Sequence, residues 1–573
     1  MRQYNDNLKR IPVTDDYGRY AGYWANTRDQ YRRIIAVIDH NRSYFESSMD
    51  PDEFASSYQY ITDKYEEASV AIDTVLESTR ELYRDELQDH PFDIDVIDNY
   101  IVYNDTRDPV NISKVIQTWH RSDNRSYADS ITRLYQDTRD IEMKIGGSHV
   151  LNVTLQVTDD CNMNCSYCYQ HKKGHHVMSL DTAKTFIDTM LACDDRMSGY
   201  LNADHALGII LDFIGGEPLL EIDLIYQISL YFVKELFRLK HHWLETFIFN
   251  ITTNGLKYFD AKVQEYIKTF AGLVSVGVTV DGNKELHDMC RVDLAGEGTY
   301  DRAIAASLDF RAYGGDRTKI TLSPQNVSYL KSALVDLIEK GYHGIHANCA
   351  FEKGWELEHA QILFHQLIEL IDWIEERGLL NTVNLSLLDK NHCKPLDPED
   401  NRNWCGGNGL MAAVSPDGRI FPCLRFMESS LGDGVDPYVI GDSSRGIGMT
   451  EVEADRITAL GNITRKSQST EECFNCPIAA GCSWCTAYNY EMFGTPNARA
   501  TFICIMQKAR ALATAYYVRK RYGKAVMYCP KDYAVPIITD IEYDRLKAYV
   551  EGGESNAECQ CVAVCEPEST SEG

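Results

Sequence analysis

The stretch from residue 147 to residue 351 alternates between short apolar segments and amphipathic segments, and this alternation limits the folds open to the chain. β-branched and aromatic residues predict six strands, at 150–158, 207–214, 247–253, 273–280, 319–323 and 344–351. Helical periodicity between them, as in LDTAKTFIDTMLAC and EIDLIYQISLYFVKELFRL, predicts crossover helices. Successive β–α units predict an α/β fold with a parallel sheet, either doubly wound or curled into a partial (β/α)6 TIM-like barrel. Ligands would then bind at the carboxyl ends of the strands.

The regions on either side of this alternation differ from it in composition. Residues 1–146 carry long stretches with apolar and aromatic residues at helical spacing, which predict a mostly helical domain with substrate recruitment as a candidate role. Residues 147–385 form the predicted barrel, and residues 386–510 are rich in loops and cysteine. Residues 511–573 combine a helix with an acidic, Cys-containing tail. At 573 residues, the chain is long enough for several such domains.

Charge and apolar patterning exclude several classes of protein. A formal net charge of −28 opposes binding to nucleic acid or to an anionic membrane surface. The N-terminus lacks the apolar core of a signal peptide, and no run of 18 apolar residues follows. We therefore expect a cytoplasmic protein without nucleic-acid or membrane partners. Its 18 cysteines are not expected to form disulfides there, which leaves metal binding or redox chemistry.

The cysteines are grouped rather than scattered. None occurs in the first 160 residues, three fall at Cys161, Cys165 and Cys168, and six lie between Cys405 and Cys485. The first three form a C-x3-C-x2-C loop directly after the first predicted strand. Three thiolates on a cluster of four irons would leave one iron open for catalysis. A structural zinc ion prefers four ligands, and only the nearby histidines His171, His175 and His176 keep a zinc site as the alternative.

This loop resembles the C-x3-C-x-aromatic-C motif of the radical SAM superfamily, with Tyr167 as the aromatic residue. The resemblance implies a catalytic [4Fe-4S] cluster on Cys161, Cys165 and Cys168, whose open iron binds the amine and carboxylate of S-adenosyl-L-methionine. In that family an electron cleaves the sulfonium, and a 5'-deoxyadenosyl radical removes hydrogen from the substrate. An electron donor such as ferredoxin or flavodoxin is also implied.

Segments at the ends of later strands resemble cofactor-lining segments of the same family. Gly215–Pro218 resembles the GGEP segment that contacts the methionine amine; its glycines would let backbone carbonyls approach the ligand, and Glu217 would offset positive charge. His287, Asp288 and Arg291 match an HD-x2-R pattern, in which Arg291 could pair with a carboxylate. Thr252–Gly255 and Thr279–Gly282, at the ends of the third and fourth strands, resemble further cofactor-lining segments. Turn formation is the alternative role for their Asn-Gly and Asp-Gly pairs. The implied cofactor contacts are Tyr167, Gly215, Gly216, Glu217, Pro218, Thr253, Asn254, Thr279, Asp281 and Arg291.

The second group of cysteines resembles the SPASM extension of peptide-modifying radical SAM enzymes. Its spacing is C-x12-G-x4-C, then C-x2-C-x5-C-x2-C and a final Cys, which is one residue shorter than the family pattern between Cys482 and Cys485. The resemblance implies two auxiliary [4Fe-4S] clusters, and a pair of zinc sites is the alternative. One cluster would use Cys473, Cys476, Cys482 and Cys504. The other would use Cys405, Cys423 and Cys485, with Cys393 or a substrate thiolate as its fourth ligand.

This second resemblance implies oxidative modification of a ribosomally made peptide or of a protein, for example by a thioether crosslink. The sulfatase-maturing relatives carry an Asp directly after the G-x4-C cysteine, whereas Leu424 follows Cys423 here. An expected base is therefore missing at that position, which disfavours sulfatase-type oxidation. Small-molecule dehydrogenation and a non-catalytic iron–sulfur electron carrier remain as alternatives. Residues 1–146 show no run like the winged-helix module that binds leader peptides.

Overall fold

The computed structural model describes thirteen segments of the chain, and some predicted features lie outside them. Cys393 and the tail cysteines Cys559, Cys561 and Cys565 are among the residues that are not described. The described segments are 8–12, 16–82, 94–97, 100–104, 150–197, 199–311, 317–351, 354–389, 395–403, 405–476, 478–482, 484–522 and 547–548.

The described part of the N-terminal region contains three helices and three short strands. The helices are α1 (Asp16–His40), α2 (Arg42–Ser48) and α3 (Pro51–Leu82), and the strands are β1 (Leu8–Pro12), β2 (Ile94–Ile97) and β3 (Tyr100–Asn104). The strands form an antiparallel sheet in the order β1-β3-β2. The helices agree with the prediction, but the strands were missed because apolar runs of four or five residues do not separate strand from helix by periodicity.

The N-terminal helices pack directly on the barrel. Gln30 of α1 donates through Nε2 to the carbonyl of Phe247 at 3.1 Å, and the Tyr31 hydroxyl donates to Glu245 Oε1 at 3.0 Å. The rings of Phe45 and Phe54 meet Phe237 edge to face, with centroids 6.0 and 5.7 Å apart. Both regions belong to one continuous hydrophobic core.

The predicted β–α alternation is confirmed as an open parallel barrel. Its six strands are β4 (Val150–Thr158), β5 (Gly208–Gly215), β6 (Phe247–Thr253), β7 (Val274–Val278), β8 (Arg317–Leu322) and β9 (Gly344–Cys349), all within two residues of the predicted ends. Its helices are α4 (Leu180–Leu191), α5 (Ile222–Leu239), α6 (Ala261–Thr269), α7 (Lys284–Cys290), α8 (Tyr300–Phe310), α9 (Leu330–Glu339) and α10 (Leu357–Glu376).

The strands follow one another in chain order around the barrel. Parallel ladders join β4 to β5, β5 to β6, β6 to β7, and β8 to β9. A single parallel bridge between Thr279 and Lys319 connects β7 to β8. Because side chains alternate along a strand, the apolar residues of β4 at 151, 153, 155 and 157 pack outward, while Thr154 and Gln156 face the interior. The inner face is therefore polar enough to line a ligand cavity.

The Cys-rich region extends the barrel sheet instead of forming a separate one. Strand β10 (Asn384–Leu385), the last two residues of the barrel region, pairs with β9, and β11 (Met411–Val414) of the Cys-rich region lies parallel to β4 at the opposite edge. Strands β12 (Arg419–Phe421), β13 (Gly441–Asp442) and β14 (Gly446–Ile447) continue outward from β11 in antiparallel order. The helices of this region are α11 (Glu451–Gly461), α12 (Arg465–Gln468), α13 (Glu471–Phe474), α14 (Thr486–Phe493) and α15 (Cys504–Tyr522).

Helix α15 returns to the barrel and packs along α10. The Tyr516 hydroxyl donates to Asp372 Oδ1 at 2.7 Å, and Lys520 forms ion pairs with Asp372 and Glu375. None of the described helices is long and apolar enough to cross a lipid bilayer.

Candidate functional site

A cavity at the carboxyl ends of the barrel strands brings most of the predicted site residues together. Its volume is about 460 Å³. Leu424, Arg425 and Cys485 of the Cys-rich region complete its wall. Pro218 and Asp281 do not line it: Pro218 is buried at the start of a 3-10 turn, and Asp281 is fully buried behind the wall. The predicted residues that line the cavity are Cys161, Cys165, Cys168, Tyr167, Gly215, Gly216, Glu217, Thr253, Asn254, Thr279 and Arg291.

The loop that carries the first three cysteines is anchored to the segment after α7. The backbone N–H of Asn164 donates to the Val292 carbonyl at 2.9 Å, and that of Ser166 donates to the Cys290 carbonyl at 3.0 Å. From the other side, Lys173 Nζ donates to the carbonyl of Met163 at 2.7 Å. These bonds hold the loop over the strand ends, with its three thiols along the cavity wall.

Burial and two nearby cations act on these thiols in opposite directions. Burial raises the pKa of Cys161 to about 11, and the positive charge of Lys173 opposes this rise. Burial also raises the pKa of Cys165, against the opposing charge of Arg291. Iron must displace the thiol protons on binding, and the two cations would stabilise the resulting thiolates. All three thiols line the same cavity, and this arrangement fits the cluster that their spacing implies.

In the described part of the chain, no three His, Cys, Asp or Glu side chains are grouped tightly enough to hold one metal ion.

The glycines of the GGEP segment have a packing role within the chain. A Cβ on Gly216 would lie 2.2 Å from the Asp160 carbonyl oxygen and 2.7 Å from Cys161 Cβ, and a Cβ on Gly215 would lie 2.5 Å from the Thr158 oxygen. The N–H of Glu217 donates to the Asp160 carbonyl at 2.8 Å, so the two segments lie side by side. The glycines therefore allow close approach of the cysteine loop, in addition to the expected approach of a ligand.

Replacing Gly216 with alanine should displace the cysteine loop. The added methyl meets backbone atoms that cannot rotate away, so we expect a loss of about 1–3 kcal/mol in the free energy of unfolding. Denaturant titration and the iron retained after gel filtration would measure both effects. Gly461→Ala is the control, because its Cβ would meet nothing within 4 Å. Equal iron retention in both variants would contradict the packing role.

The Glu217 carboxylate accepts three hydrogen bonds from neighbouring residues of the chain. Oε1 accepts hydrogen bonds from the Thr253 hydroxyl at 2.5 Å and the Leu219 N–H at 3.1 Å, and Oε2 accepts from the Asn254 N–H at 2.8 Å. Asn254 Nδ2 in turn donates to Asn162 Oδ1 at 2.8 Å, next to Cys161. Burial raises the pKa of Glu217. Glu217 thus ties the ends of β5 and β6 together beneath the cysteine loop.

Tyr167, Asp281 and Arg291 form a buried polar unit behind the cysteines. The Tyr167 hydroxyl donates to Asp281 Oδ2, and Arg291 Nη1 donates to the Tyr167 oxygen at 2.9 Å. Arg291 Nη1 lies 3.9 Å from Asp281 Oδ2, and the N–H of Thr321 donates to Asp281 Oδ1 at 3.1 Å. Arg291 Nε is buried without a hydrogen-bond partner. This guanidinium therefore keeps capacity for an anionic group at the cavity wall.

His287 connects Asp281 to Thr299 through hydrogen bonds. The Asp281 N–H donates to His287 Nδ1 at 3.2 Å, so the imidazole proton lies on Nε2, 3.0 Å from the Thr299 hydroxyl oxygen. That hydroxyl donates to the Arg291 carbonyl at 2.9 Å. Burial lowers the pKa of His287 to about 3, with a smaller contribution from Arg291. The imidazole is therefore a neutral bridge that fixes the backbone on either side of Arg291.

Stability should fall in mild acid because of His287. The unfolded histidine has a pKa near 6.5, so protons bind the unfolded chain preferentially between pH 6.5 and 3. The contribution of His287 to the free energy of unfolding is fully present above pH 6.5. We expect this free energy to fall by about 1.4 kcal/mol between pH 7.5 and pH 5.5 because of His287. Denaturant titrations at the two pH values would show it. The His287→Asn variant should lose this dependence of stability on pH. The control His40→Asn, at the exposed end of α1, should keep it. An unchanged pH dependence in His287→Asn would show that His287 is not its source.

The second group of cysteines gathers in two places. Cys405 Sγ lies 3.1 Å from Thr486 Oγ1, next to Cys485, and a Cβ on Gly407 would lie 3.6 Å from both Cys405 Sγ and Pro422 Cβ, next to Cys423. Burial raises the pKa of Cys423, and the charges of Cys405 and Cys485 raise it further, as expected of neighbouring thiols. Burial likewise raises the pKa of Cys476, with contributions from Cys482 and Cys473. Cys504 is the first residue of α15.

Several cavity residues were missed by the sequence analysis. Asp212 and Lys319 point inward from β5 and β8, Tyr169 follows the cysteine loop, and Arg425 follows Leu424. The guanidinium of Arg425 lies 5.8 Å from the centre of the Tyr169 ring. Asp212 offered a signal, since it is the one charged residue in the strand GIILDFIG. The other three carry no sequence signal that separates them from surface residues.

Comparisons with known proteins locate the similarity in the barrel. A model described as the radical SAM superfamily matches residues 155–329. An uncharacterized protein of Methanocaldococcus jannaschii, MJ0907, is 28% identical over 34% of this chain and 60% of its own length. A cysteine-type anaerobic sulfatase-maturating enzyme of Clostridium perfringens is 26% identical over 27% of this chain and 38% of its own length. The matches thus span less than two thirds of these relatives.

Two solved structures match the chain at low sequence identity. Native anSMEcpe with bound AdoMet and Kp18Cys peptide is 18% identical, with a TM-score of 0.47 over 65% of this chain and 98% of that one. Streptococcus suis SuiB bound to precursor peptide SuiA is 14% identical, with a TM-score of 0.42 over 76% of this chain and 88% of that one.

Proposed function

We propose that this protein, a radical SAM enzyme whose superfamily domain spans residues 155–329, oxidatively modifies a peptide or protein substrate. One observation carries the proposal. The three cysteines of the first loop and Cys485 of the second group line the same cavity. A substrate in that cavity would contact both a radical source and an electron acceptor.

Different residues of the chain would hold the cluster, bind the cofactor and support it. The [4Fe-4S] cluster and S-adenosyl-L-methionine implied by the family would supply a 5'-deoxyadenosyl radical after one-electron reduction by a donor such as ferredoxin or flavodoxin. Cys161, Cys165 and Cys168 would hold the cluster. Arg291, with its unpartnered Nε, would favour an anionic group of the cofactor at the wall. The ends of β5 and β6, which Glu217 connects by hydrogen bonds, would form the surface on which the cofactor lies.

The second group of cysteines would hold two auxiliary clusters. Cys405, Cys423 and Cys485 would hold one of them, with Cys393, outside the described residues, as the candidate fourth ligand; Cys485 lines the cavity, which supports this set. Cys473, Cys476 and Cys482 would hold the other, with Cys504 as the candidate fourth ligand. The first cluster would accept an electron from a substrate radical, which suits net two-electron oxidation.

The spacing of the auxiliary cysteines supports a peptide or protein substrate over a small molecule, and the sulfatase-maturating relative is in keeping with such a substrate. A crosslink such as a thioether is the favoured outcome, because Leu424 lines the cavity where sulfatase-maturing relatives carry Asp. Oxidation of a single residue is the second candidate, supported by the same relative. Residues 147–385 would then be the catalytic barrel, 386–510 the auxiliary region, and 1–146 a candidate for recruitment.

Anaerobic reconstitution tests the proposal. With S-adenosyl-L-methionine and dithionite, we expect release of 5'-deoxyadenosine and about twelve irons per chain from three clusters. A panel of synthetic Cys-containing peptides should contain members that lose about 2 Da per modified site. Omission of dithionite is the control. Absence of 5'-deoxyadenosine from iron-loaded protein would refute radical chemistry, whereas its release without any peptide oxidation would point to a small-molecule substrate.

A further inference from the structure

We infer that Asp212 accepts the proton that the substrate loses during its oxidation. The inference rests on the proposed function and names the base that this function requires. Asp212 belongs to strand β5 of the barrel and lies outside the two groups of cysteines.

Asp212 lies on the inner face of β5 and lines the cavity. Its neighbours in register are Thr154 of β4 and Asn250 of β6. The same cavity is lined by Cys168 of the first loop and by Cys485 of the second group. Asp212 therefore shares one cavity with both groups of cysteines.

The Asp212 carboxyl group is free to take part in proton transfer. Oδ1 accepts a hydrogen bond from Asn250 Nδ2 at 2.6 Å, and Oδ2 has no partner among the described residues. Burial raises the pKa of Asp212 to about 6, with the Asn250 hydrogen bond opposing the rise. A carboxylate with this pKa is ionised at neutral pH and binds a proton more readily than an exposed one does. The charged side chains that line the cavity with Asp212 are Lys173, Glu217, Arg291, Lys319 and Arg425, and Tyr169 adds a titratable hydroxyl.

Among the described residues that line the cavity, no second carboxylate has an oxygen without a hydrogen bond. The acidic residues of this lining are Asp212 and Glu217. Both oxygens of Glu217 already accept hydrogen bonds, from the Leu219 and Asn254 N–H groups and the Thr253 hydroxyl. Leu424, at the position where a base was expected from sequence, has no titratable group. Asp212 is thus the carboxylate with an open oxygen.

The proton, hydrogen atom and electron all have destinations in this scheme. The substrate carbon would give a hydrogen atom to the radical that the cofactor supplies, with 5'-deoxyadenosine as the product. A thiol, hydroxyl or amine of the substrate would give its proton to Asp212 as its heteroatom bonds to the carbon radical. One electron would pass to a cluster that Cys405, Cys423 and Cys485 would hold. One C–H bond and one heteroatom–H bond are lost, and one carbon–heteroatom bond forms or gains double-bond character.

Asp212→Asn tests the inference, because asparagine keeps the shape and the acceptor for Asn250 but cannot take the proton. With the Cys-containing peptide that the wild type converts, we expect the ratio of oxidised peptide to 5'-deoxyadenosine to fall at least tenfold. In the wild type this ratio should rise with pH around 6, and the variant should lose that dependence. A proportional fall in both products would overturn the inference and indicate a structural role. Failure of the wild type to release 5'-deoxyadenosine would instead refute the proposed function.

An infrared titration of the reconstituted enzyme without peptide provides a readout independent of turnover. A protonated-carboxyl band that disappears as the pH rises from 5 to 7 should be present in the wild type and missing from Asp212→Asn. Asp223→Asn, which removes a surface carboxylate paired with Lys262, is the matched control and should retain the band. If the band is equal in Asp212→Asn and in the wild type, Asp212 does not titrate in this range and the inference is wrong.

Discussion

Simultaneous replacement of Cys161, Cys165 and Cys168 with alanine is expected to abolish 5'-deoxyadenosine release, by at least about a thousandfold. The three thiols line one wall of the cavity and would be the protein ligands of the catalytic cluster. Without them the cofactor would have no open iron to bind. Liquid chromatography of the reaction with S-adenosyl-L-methionine and dithionite measures the loss.

The same variant should lose about four irons per chain and keep those of the auxiliary sites. Iron analysis and electron paramagnetic resonance of the reduced protein would show this difference. Cys193→Ala is the matched control, because Cys193 contacts Asn202 and Asp204 away from the cavity. Residual 5'-deoxyadenosine in the triple variant would disprove the assignment of the catalytic cluster.

Replacement of Asp281 with alanine is expected to cost about 3–5 kcal/mol of folding free energy, because it leaves a buried guanidinium uncompensated. Arg291 is 8% exposed and Asp281 is fully buried, so water cannot replace the lost carboxylate. The Tyr167 hydroxyl and the Thr321 N–H also lose their acceptor. Denaturant unfolding of the reconstituted protein would measure the effect.

This substitution should also loosen the cysteine loop through Tyr167, and iron retention should fall with stability. Asp281→Asn keeps an acceptor for Thr321 but not the charge, so we expect an intermediate loss. Asp223→Asn on the protein surface should change stability by less than about 1 kcal/mol, since exposed ion pairs contribute little. A wild-type unfolding curve for Asp281→Ala would show that Arg291 is stabilised by other groups.

The barrel was predictable from sequence because its signals are local and repeated. Each strand is an apolar run between polar turns, and each ends at a recognisable segment such as Gly215–Pro218 or Thr252–Gly255. Parallel strands in chain order then bring these ends to one edge, so the shared cavity follows from the fold. The cysteine loop was identified in the same way, by its position directly after β4.

The roles of individual side chains were less predictable, because they depend on contacts between distant segments. Glu217 lines the cavity, where a cofactor contact was predicted, but its hydrogen bonds to the Thr253 hydroxyl and the Asn254 N–H could not be read from sequence. Asp281 was expected at the cofactor, yet it lies behind the wall and acts on Tyr167 and Arg291. Asp212 was overlooked because a single charge in an apolar strand does not reveal which face it occupies. Such assignments require the register between strands.

The pairing of β11 with β4 has a consequence for synthesis of the protein. Strand β11 begins about 260 residues after β4, so at roughly 5–20 residues per second the ribosome needs on the order of 10–50 s to supply the partner. During that interval the outer edge of β4 on the nascent chain offers unpaired backbone groups to other strands. Expression of the barrel alone, ending near residue 385, would make that exposure permanent, and aggregation of such a truncated product is the expected result.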